Sequence, residues 1–186
     1  LDLAAIGQNF VLCIWSLNNI FLYTDGAASG NPGPGGFGII LVWEGQNYVK
    51  EWSQGFRRTT NNRMELLAVI VGLELLKKQP MTVVVYSDSK YVIDSVNKGW
   101  VFNWEKKYFK DKKNPDLWKR FLKIYRKHKV HFQWVKGHSK HPQNERCDQM
   151  AVAAYKKKKG LLEDSYYEAQ EKQHPLWNEL WISFKE

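Results

Sequence analysis

Four acidic residues occupy positions from which carboxylates could do chemistry: Asp25, Glu65, Asp88 and Asp148. Asp25 and Asp88 each follow a run of β-forming residues, so both are expected at the end of a strand. Glu65 falls near the start of one predicted helix, and Asp148 lies on the apolar side of another. If these acids converge, a cation must offset their repulsion and their loss of hydration. Oxygen ligands without clustered Cys or His favour Mg²⁺ or Mn²⁺.

Each acid taken alone also has a structural explanation. An Asp after a strand is a common helix N-cap, and a Glu in the first helical turn suits the helix dipole. Four separate structural roles would leave the acids scattered, whereas a metal site requires that they meet. The sequence therefore predicts a metal site on the condition that the fold brings all four to one place.

The elements that must position these acids form an alternating pattern. It predicts strands over residues 20–24, 37–43, 48–55, 82–86 and 130–135, and helices over residues 62–78, 88–98, 116–128 and 143–158. The Gly- and Pro-rich stretch Gly30–Gly38 is predicted to be a loop that cannot be a central strand. The order indicates an α/β fold with a mixed sheet, namely an antiparallel meander followed by parallel strands. In such a sheet Asp25 and Asp88 would end neighbouring strands.

The positive charge of the chain is concentrated in one segment. Residues 98–129 hold twelve basic and three acidic residues, which accounts for the whole net charge of +9. A local block of this size points to a polyanionic partner. The alternative is that part of it, especially Lys119–Lys129, is the solvated face of an amphipathic helix.

Composition excludes several classes of protein. With 44% hydrophobic and 25% charged residues, the chain has the balance of a globular domain rather than a disordered one. Two cysteines, Cys13 and Cys147, cannot form a disulfide scaffold or a zinc cluster, and they fit a reducing compartment. No apolar run reaches the roughly 18 residues of a membrane span. We expect a cytoplasmic monomer with no membrane partner.

Four segments resemble type-1 ribonuclease H, and in particular the bacterial enzymes: Tyr23–Gly38, Thr59–Leu67, Tyr86–Tyr91 and Trp134–Met150. The resemblance covers residues 19–156, including a basic handle within residues 98–129. It leaves residues 1–18 as an N-terminal extension without an assigned role and residues 157–186 as a C-terminal extension. We expect the C-terminal extension to pack on the domain rather than to serve as a partner-binding tail, because exposed aromatic residues are costly.

The resemblance implies a ribonuclease H-like fold, with a five-stranded mixed sheet flanked by helices. It also implies an endonuclease that hydrolyses the RNA strand of RNA–DNA hybrids and leaves 3′-hydroxyl and 5′-phosphate ends. In this family two Mg²⁺ ions, which Mn²⁺ can replace, are bound by acids matching Asp25, Glu65, Asp88 and Asp148. His138 matches a loop histidine that assists proton transfer or product release, and its alternative is a solvated loop residue.

The resemblance also implies contacts to both strands of the hybrid. Asn31, Asn61 and Asn62 match residues that contact the RNA strand, whose 2′-hydroxyls distinguish it from DNA. On the DNA strand, the matching residues are Arg58, Thr60 and Asn114 at a phosphate, Trp100 with Tyr91 at a deoxyribose, and Lys106 with Lys107 along the backbone. The plain alternatives are a turn role for Asn31 and helix capping for Asn61, Asn62 and Asn114.

Two other functions compete with a hybrid-specific nuclease. A non-catalytic nucleic-acid-binding module would gain nothing from four acids facing phosphates. A domain of a polymerase or integrase-like enzyme would not need its own basic handle, because a partner domain would supply substrate affinity. Both considerations favour the nuclease.

Overall fold

The computed structural model describes residues 19–137, 141–157 and 159–172. Its strands are β1 (Ile20–Ala28), β2 (Gly33–Trp43), β3 (Tyr48–Thr59), β4 (Thr82–Ser87) and β5 (Lys129–Trp134). Its helices are α1 (Asn61–Glu74), α2 (Lys90–Asn97), α3 (Trp100–Lys106), α4 (Pro115–Tyr125), α5 (Pro142–Lys156) and α6 (Ser165–Lys172). Within the described ranges, no helix is both long enough and apolar enough to cross a bilayer.

The five strands form one mixed sheet in the order β3-β2-β1-β4-β5. Strands β1, β2 and β3 make an antiparallel meander, whereas β4 pairs in parallel with both β1 and β5. The predicted fold class, a five-stranded mixed sheet flanked by helices, is confirmed. Because β1 and β4 are parallel neighbours, the residues that follow them meet at one edge of the sheet.

The prediction that Gly30–Gly38 cannot be a central strand is wrong. Strand β2 begins at Gly33 and lies between β1 and β3, with Gly38 opposite Asp25 on one side. The glycines are needed because α5 packs directly on this strand. A Cβ added at Gly36 would lie 2.8 Å from the carbonyl oxygen of Ala151, and one at Gly38 would overlap the carbonyl oxygen of Cys147. Close approach of a helix backbone replaces the side-chain packing that usually marks a central strand.

Helix α1 is shorter at its C-terminal end than its apolar spacing predicts. It ends at Glu74 rather than Lys78, and Leu75 is its C-cap. The helix is buried along nearly all of its length between the sheet and α4, so its inner face contributes Leu66 and Ile70 to the core. From α4 the largest buried side chains are Trp118 and Phe121.

The C-terminal extension is tied to the domain through a buried arginine. The Arg63 side chain is only 2% exposed and forms ion pairs of 2.7 Å with Asp116 and 2.6 Å with Asp164. Its guanidinium lies 5.5 Å from the ring centre of Tyr166. Leu162 bridges to Phe56, which extends the edge of β3. The aromatic residues beyond Lys172 lie outside the described residues.

Replacing Gly38 by Ala tests whether the contact between β2 and α5 is a packing requirement. The added Cβ meets backbone atoms that cannot rotate away, so we expect a loss of about 1–3 kcal/mol in the free energy of unfolding. Urea unfolding should show a lower midpoint with an unchanged m-value. A midpoint equal to that of the unsubstituted protein would contradict this account of the strand.

Candidate active site

Three of the four predicted acids form a tight cluster at the edge shared by β1 and β4. One carboxylate oxygen from each of Asp25, Glu65 and Asp88 lies within 4.8 Å of the other two. Asp25 lies inside β1, which continues four residues past the predicted end, whereas Asp88 directly follows β4. Glu65 comes from α1 just after its first turn. Asp25 and Glu65 are each only 6% exposed, so the cluster is largely dehydrated.

Glycine at position 26 allows Glu65 to reach this cluster. A Cβ there would overlap the backbone of Met64 and Glu65, so only glycine lets the start of α1 sit against the end of β1. The Gly26 N–H donates a hydrogen bond of 2.7 Å to Oδ1 of Asp25. This bond favours the ionised form of Asp25 and fixes the orientation of its carboxylate.

Asp88 is held by contacts from two later parts of the chain. The Asn144 amide donates to its Oδ2 at 3.3 Å, and Trp134 Nε1 donates to its main-chain oxygen at 3.1 Å. Gly137 lies so close that an added Cβ would come within 2.6 Å of Oδ2. Asn144 was not among the site residues predicted from the sequence. The available signal was its spacing, since it lies four residues before Asp148 and so shares a face of α5.

Asp148 lines the same cleft but stands outside the tight group of three. The cleft has a volume of about 240 Å³, and its lining also includes Asp25, Asn144 and Glu145. Asp148 is half-buried, and its charge still contributes to the raised pKa of Asp25. Its role as a fourth metal ligand therefore stays a prediction.

Burial and mutual repulsion disfavour ionisation of the cluster. The pKa of Asp25 is raised from 3.8 to about 8 by burial first, and then by the charges of Asp88 and Asp148. The pKa of Glu65 is also raised well above its usual value, by burial and then by Asp25 and Asp88. Glu65 Oε1 accepts a long hydrogen bond of 3.4 Å from Asn61, but its buried Oε2 has no partner among the described residues. An all-oxygen donor set with an unpartnered carboxylate oxygen fits a divalent cation.

His138 lies outside the described residues. Its neighbour Gly137 is described and lies against Asp88. The proton-transfer role of His138 stays a prediction.

The residues predicted to contact RNA lie beside the cleft. The N-terminus of α1 is capped by residues other than the predicted Asn61 and Asn62. Thr60 is the N-cap of α1 and makes no capping bond with its side chain. The Asn61 N–H instead donates to Oδ1 of Asn31 at 3.2 Å, so Asn31 caps the helix from another loop. Asn61 and Asn62 lie within the first turn, and Asn62 is exposed. Capping by Asn61 and Asn62 is therefore wrong, while their contact to RNA stays a prediction.

A second cleft, of about 440 Å³, adjoins the residues predicted to bind a DNA phosphate. Its lining consists of Asn31, Thr60, Asn62, Lys113, Asn114, Tyr167, Gln170 and Glu171. Asn114 is the N-cap of α4, yet its side chain makes no capping bond. Its amide donates to the Tyr91 hydroxyl at 3.1 Å, and its Oδ1 accepts from Arg63 at 3.4 Å. The Asn114 side chain is thus bound to other side chains, and only the main chain of Asn114 caps α4.

Arg58, the remaining predicted phosphate ligand, is already paired with a carboxylate. Its Nε donates to Oε2 of Glu171 at 2.6 Å, and its Nη2 donates to Oε1 at 2.9 Å. Glu171 belongs to α6, in the C-terminal extension that the sequence analysis left without a role in binding. The two residues are 113 positions apart, so no local pattern could have paired them.

The residues predicted to contact deoxyribose and the DNA backbone lie along α2 and α3. The Trp100 side chain is 43% exposed, with Lys98 Nζ 4.9 Å from its ring centre. The Tyr91 hydroxyl accepts a 2.8 Å hydrogen bond from Trp118 of the core, which fixes the orientation of the Tyr91 ring. Lys106 and Lys107 are exposed at the end of α3. These positions suit contact with a polyanion, and the contacts themselves stay predictions.

Two arginines of the basic block, residues 98–129, are paired with acids. Arg120 of α4 pairs with Glu74, and Arg126 pairs with Glu105. The apolar face of α4 packs into the core, and Lys119 and Lys123 on its outer face are exposed. Exposure fits a solvated helix face as well as contact with a polyanion, so the role of this face stays a prediction.

Replacing Asp25 by Asn tests the electrostatic cost of the cluster without any substrate. Because the pKa of Asp25 is about 8 in the folded state and 3.8 in the reference state, its ionisation opposes folding of the metal-free protein. Protonated Asp25 favours the folded state, so its stabilising effect is fully present below about pH 4, where the unfolded chain is protonated too. This effect is lost as the pH rises to about 8, where folding must bury a charge. In EDTA at pH 8 we expect Asp25→Asn to raise the free energy of unfolding by about 1 kcal/mol or more, or about 2–4 °C in Tm.

The matched control is Asp94→Asn, which removes an acid paired with Lys98 on the surface and should change the free energy of unfolding by less than about 0.5 kcal/mol. Added Mg²⁺ should raise the Tm of the unsubstituted protein more than that of Asp25→Asn. A stabilisation of Asp25→Asn that is the same at pH 4 and pH 8 would show that repulsion is not the cause.

Comparison with known proteins agrees with this geometry. The family model described as RNase H matches residues 18–156. The ribonuclease H of Desulforamulus reducens is 56% identical over 146 residues, which cover 76% of this chain and 90% of that protein. The crystal structure of LC9-RNase H1, a type 1 RNase H with the type 2 active-site motif, has a TM-score of 0.68 at 30% identity and covers 87% of this chain and 83% of that one.

A further solved structure, LC11-RNase H1 in complex with RNA/DNA hybrid, has a TM-score of 0.58 at 29% identity and covers 75% of this chain and 98% of that one. The family match spans well over half of the chain and includes all the residues of the carboxylate cluster. The chain therefore belongs to the ribonuclease H family, and its relatives make it a bacterial type-1 ribonuclease H.

Proposed function

We propose that this ribonuclease H hydrolyses the RNA strand of RNA–DNA hybrids endonucleolytically, with two divalent ions, and leaves 3′-hydroxyl and 5′-phosphate ends. The observation that carries the proposal is the convergence of Asp25, Glu65 and Asp88 in a cleft whose described lining holds five acids and no basic residue. A cleft of this charge repels a phosphodiester unless cations are bound there. The hybrid complex known for LC11-RNase H1 supports the choice of substrate.

Asp25, Glu65, Asp88 and Asp148 would hold the ions. When bound, such ions lower the pKa of an attacking water and stabilise the charge that develops on the phosphoryl and leaving oxygens. The residues around the acids hold the carboxylates in place. Asn144 and Gly137 fix the carboxylate of Asp88, and Gly26 orients that of Asp25. His138 would carry a proton to or from the reacting groups.

Strand discrimination would come from two groups of side chains. The amides of Asn31, Asn61 and Asn62 can hydrogen-bond 2′-hydroxyls, which only RNA offers. The exposed ring of Trp100 offers a flat apolar surface that suits a deoxyribose better than a hydroxylated sugar. A duplex with one strand of each kind satisfies both groups at once.

Replacing Asp88 by Asn tests the chemistry. We expect loss of cleavage of a labelled RNA–DNA hybrid by at least about 10³-fold in Mg²⁺ or Mn²⁺, because one ligand of the ions is lost. Binding of the same hybrid in Ca²⁺ should stay within about threefold of the unsubstituted protein, and Asp94→Asn should cleave normally. Duplex RNA, duplex DNA and single-stranded RNA should resist cleavage. Hybrid binding without cleavage by the unsubstituted protein would indicate a non-catalytic module instead.

Replacing Lys106 and Lys107 together by Glu tests the basic handle. We expect weaker hybrid binding and a salt dependence whose slope is shallower by about 1–2, since each lost phosphate contact removes about 0.9 from the slope. The matched control is the replacement of Lys77 and Lys78 by Glu. These are also adjacent exposed lysines, but they line a cleft with Ile20 and Trp43, at the end of β1 opposite Asp25. Equal effects of the two double substitutions would reject a handle at Lys106 and Lys107.

A further inference from the structure

We propose that Glu171 of α6 is an internal competitor of the DNA strand: its carboxylate occupies the phosphate position at Arg58 and thereby sets the affinity of the enzyme for its hybrid. This inference rests on the proposed function, because it takes Arg58, Thr60 and Asn114 to be ligands of a DNA phosphate. It assigns a role in substrate affinity to the C-terminal extension.

The contact has the geometry with which arginine binds a phosphate. Nε and Nη2 of Arg58 donate to the two oxygens of Glu171 at 2.6 and 2.9 Å, which is a bidentate, fork-like pair. The Tyr167 hydroxyl, one turn earlier in α6, donates to Oε1 at 3.3 Å. A carboxylate held by several donors in this way satisfies the same groups that an oxyanion of the DNA backbone would satisfy.

The surroundings of Glu171 suit an anion. The adjoining cleft of about 440 Å³ is lined by the neutral side chains of Thr60, Asn62 and Asn114 and by the cationic Lys113. Glu171 is the single acid among the described residues of that lining. The hydrogen bond from Arg58 lowers the pKa of Glu171, so the carboxylate is charged at neutral pH. Charge and donor pattern therefore both match the phosphate that the pocket is proposed to bind.

The extension is anchored firmly at one end of α6 and lightly at the other. Asp164, just before the helix, is 8% exposed and accepts hydrogen bonds from Arg63 at 2.6 Å and from the Thr59 hydroxyl at 2.7 Å. By contrast, α6 contributes no buried residue. The Arg58–Glu171 pair can therefore open without disturbing the buried anchor at Asp164.

Displacement of Glu171 should have a modest but measurable cost. The Arg58 side chain is 42% exposed and that of Glu171 is 19% exposed, so water and salt still reach the pair and weaken it. Ion pairs that solvent can reach shift an equilibrium by up to about fivefold. Because the hybrid binds only the open form, its apparent dissociation constant is raised by the same factor.

The test measures hybrid binding by full-length Glu171→Gln, using fluorescence anisotropy of a short labelled RNA–DNA hybrid in Ca²⁺. We expect its dissociation constant to fall about two- to fivefold relative to the unsubstituted protein. The matched control is Glu168→Gln, which removes the same charge from the same helix. Glu168 forms no ion pair with the described residues, so this change should have a smaller effect. Adding Glu171→Gln to Arg58→Ala should bring no gain over Arg58→Ala alone.

The outcomes separate this inference from the proposed function. Tighter binding by Glu171→Gln alone, lost in the Arg58→Ala background, supports the competition. Binding that is unchanged, weaker, or improved equally by Glu168→Gln overturns it, and weaker binding would mean that Glu171 helps to hold Arg58 for the substrate. Cleavage of the hybrid by the unsubstituted protein, measured in Mg²⁺, decides the proposed function independently of these results.

Discussion

The carboxylate cluster depends on backbone surfaces that lie closer together than any side chain would allow. Gly26 lets the start of α1 approach β1, which brings in Glu65. Gly36 and Gly38 let α5 approach β2, which brings in Asp148. Gly137 lies against the side chain of Asp88. Groups that repel one another do not gather spontaneously, so rigid elements must hold them. Glu65 and Asp148 are thus brought to the site by backbone contacts that require the absence of a Cβ.

Helix α1 places a buried cation, Arg63, and a buried acid, Glu65, on opposite faces. Residues two positions apart on a helix point about 200° away from each other. Glu65 accordingly faces the acidic cleft, whereas Arg63 faces α4 and the C-terminal extension, where Asp116 and Asp164 neutralise it. Arg63, the cation nearest to the cluster in sequence, is therefore neutralised away from the cleft. The cleft keeps an uncompensated negative charge, which is the condition under which it would bind divalent ions.

The C-terminal extension has two roles that differ in strength. Through Asp164 it completes a buried ion-pair network, and loss of a partner from such a network is strongly destabilising. Through Glu171 it makes a half-buried pair at the proposed phosphate pocket, which we propose is weak enough to exchange for substrate. The same arginine–carboxylate chemistry thus serves as a permanent tie in the dry interior and as a reversible contact at the surface. Burial is what distinguishes the two.

Sequence alone determined the mixed sheet, the place of Asp88 directly after a strand, the family and the concentration of charge near Lys106 and Lys107, because these depend on local spacing and residue type. It ended β1 before Asp25, although the strand continues to Ala28. It misjudged Gly33–Gly38 as a loop, since the helix that packs on those glycines is more than a hundred residues away. Capping by Asn31, the place of Asn144 beside Asp88 and the pairing of Arg58 with Glu171 likewise join distant segments. The residue types fit these contacts, but only tertiary structure selects the partners, because close approach and burial are properties of the packed chain.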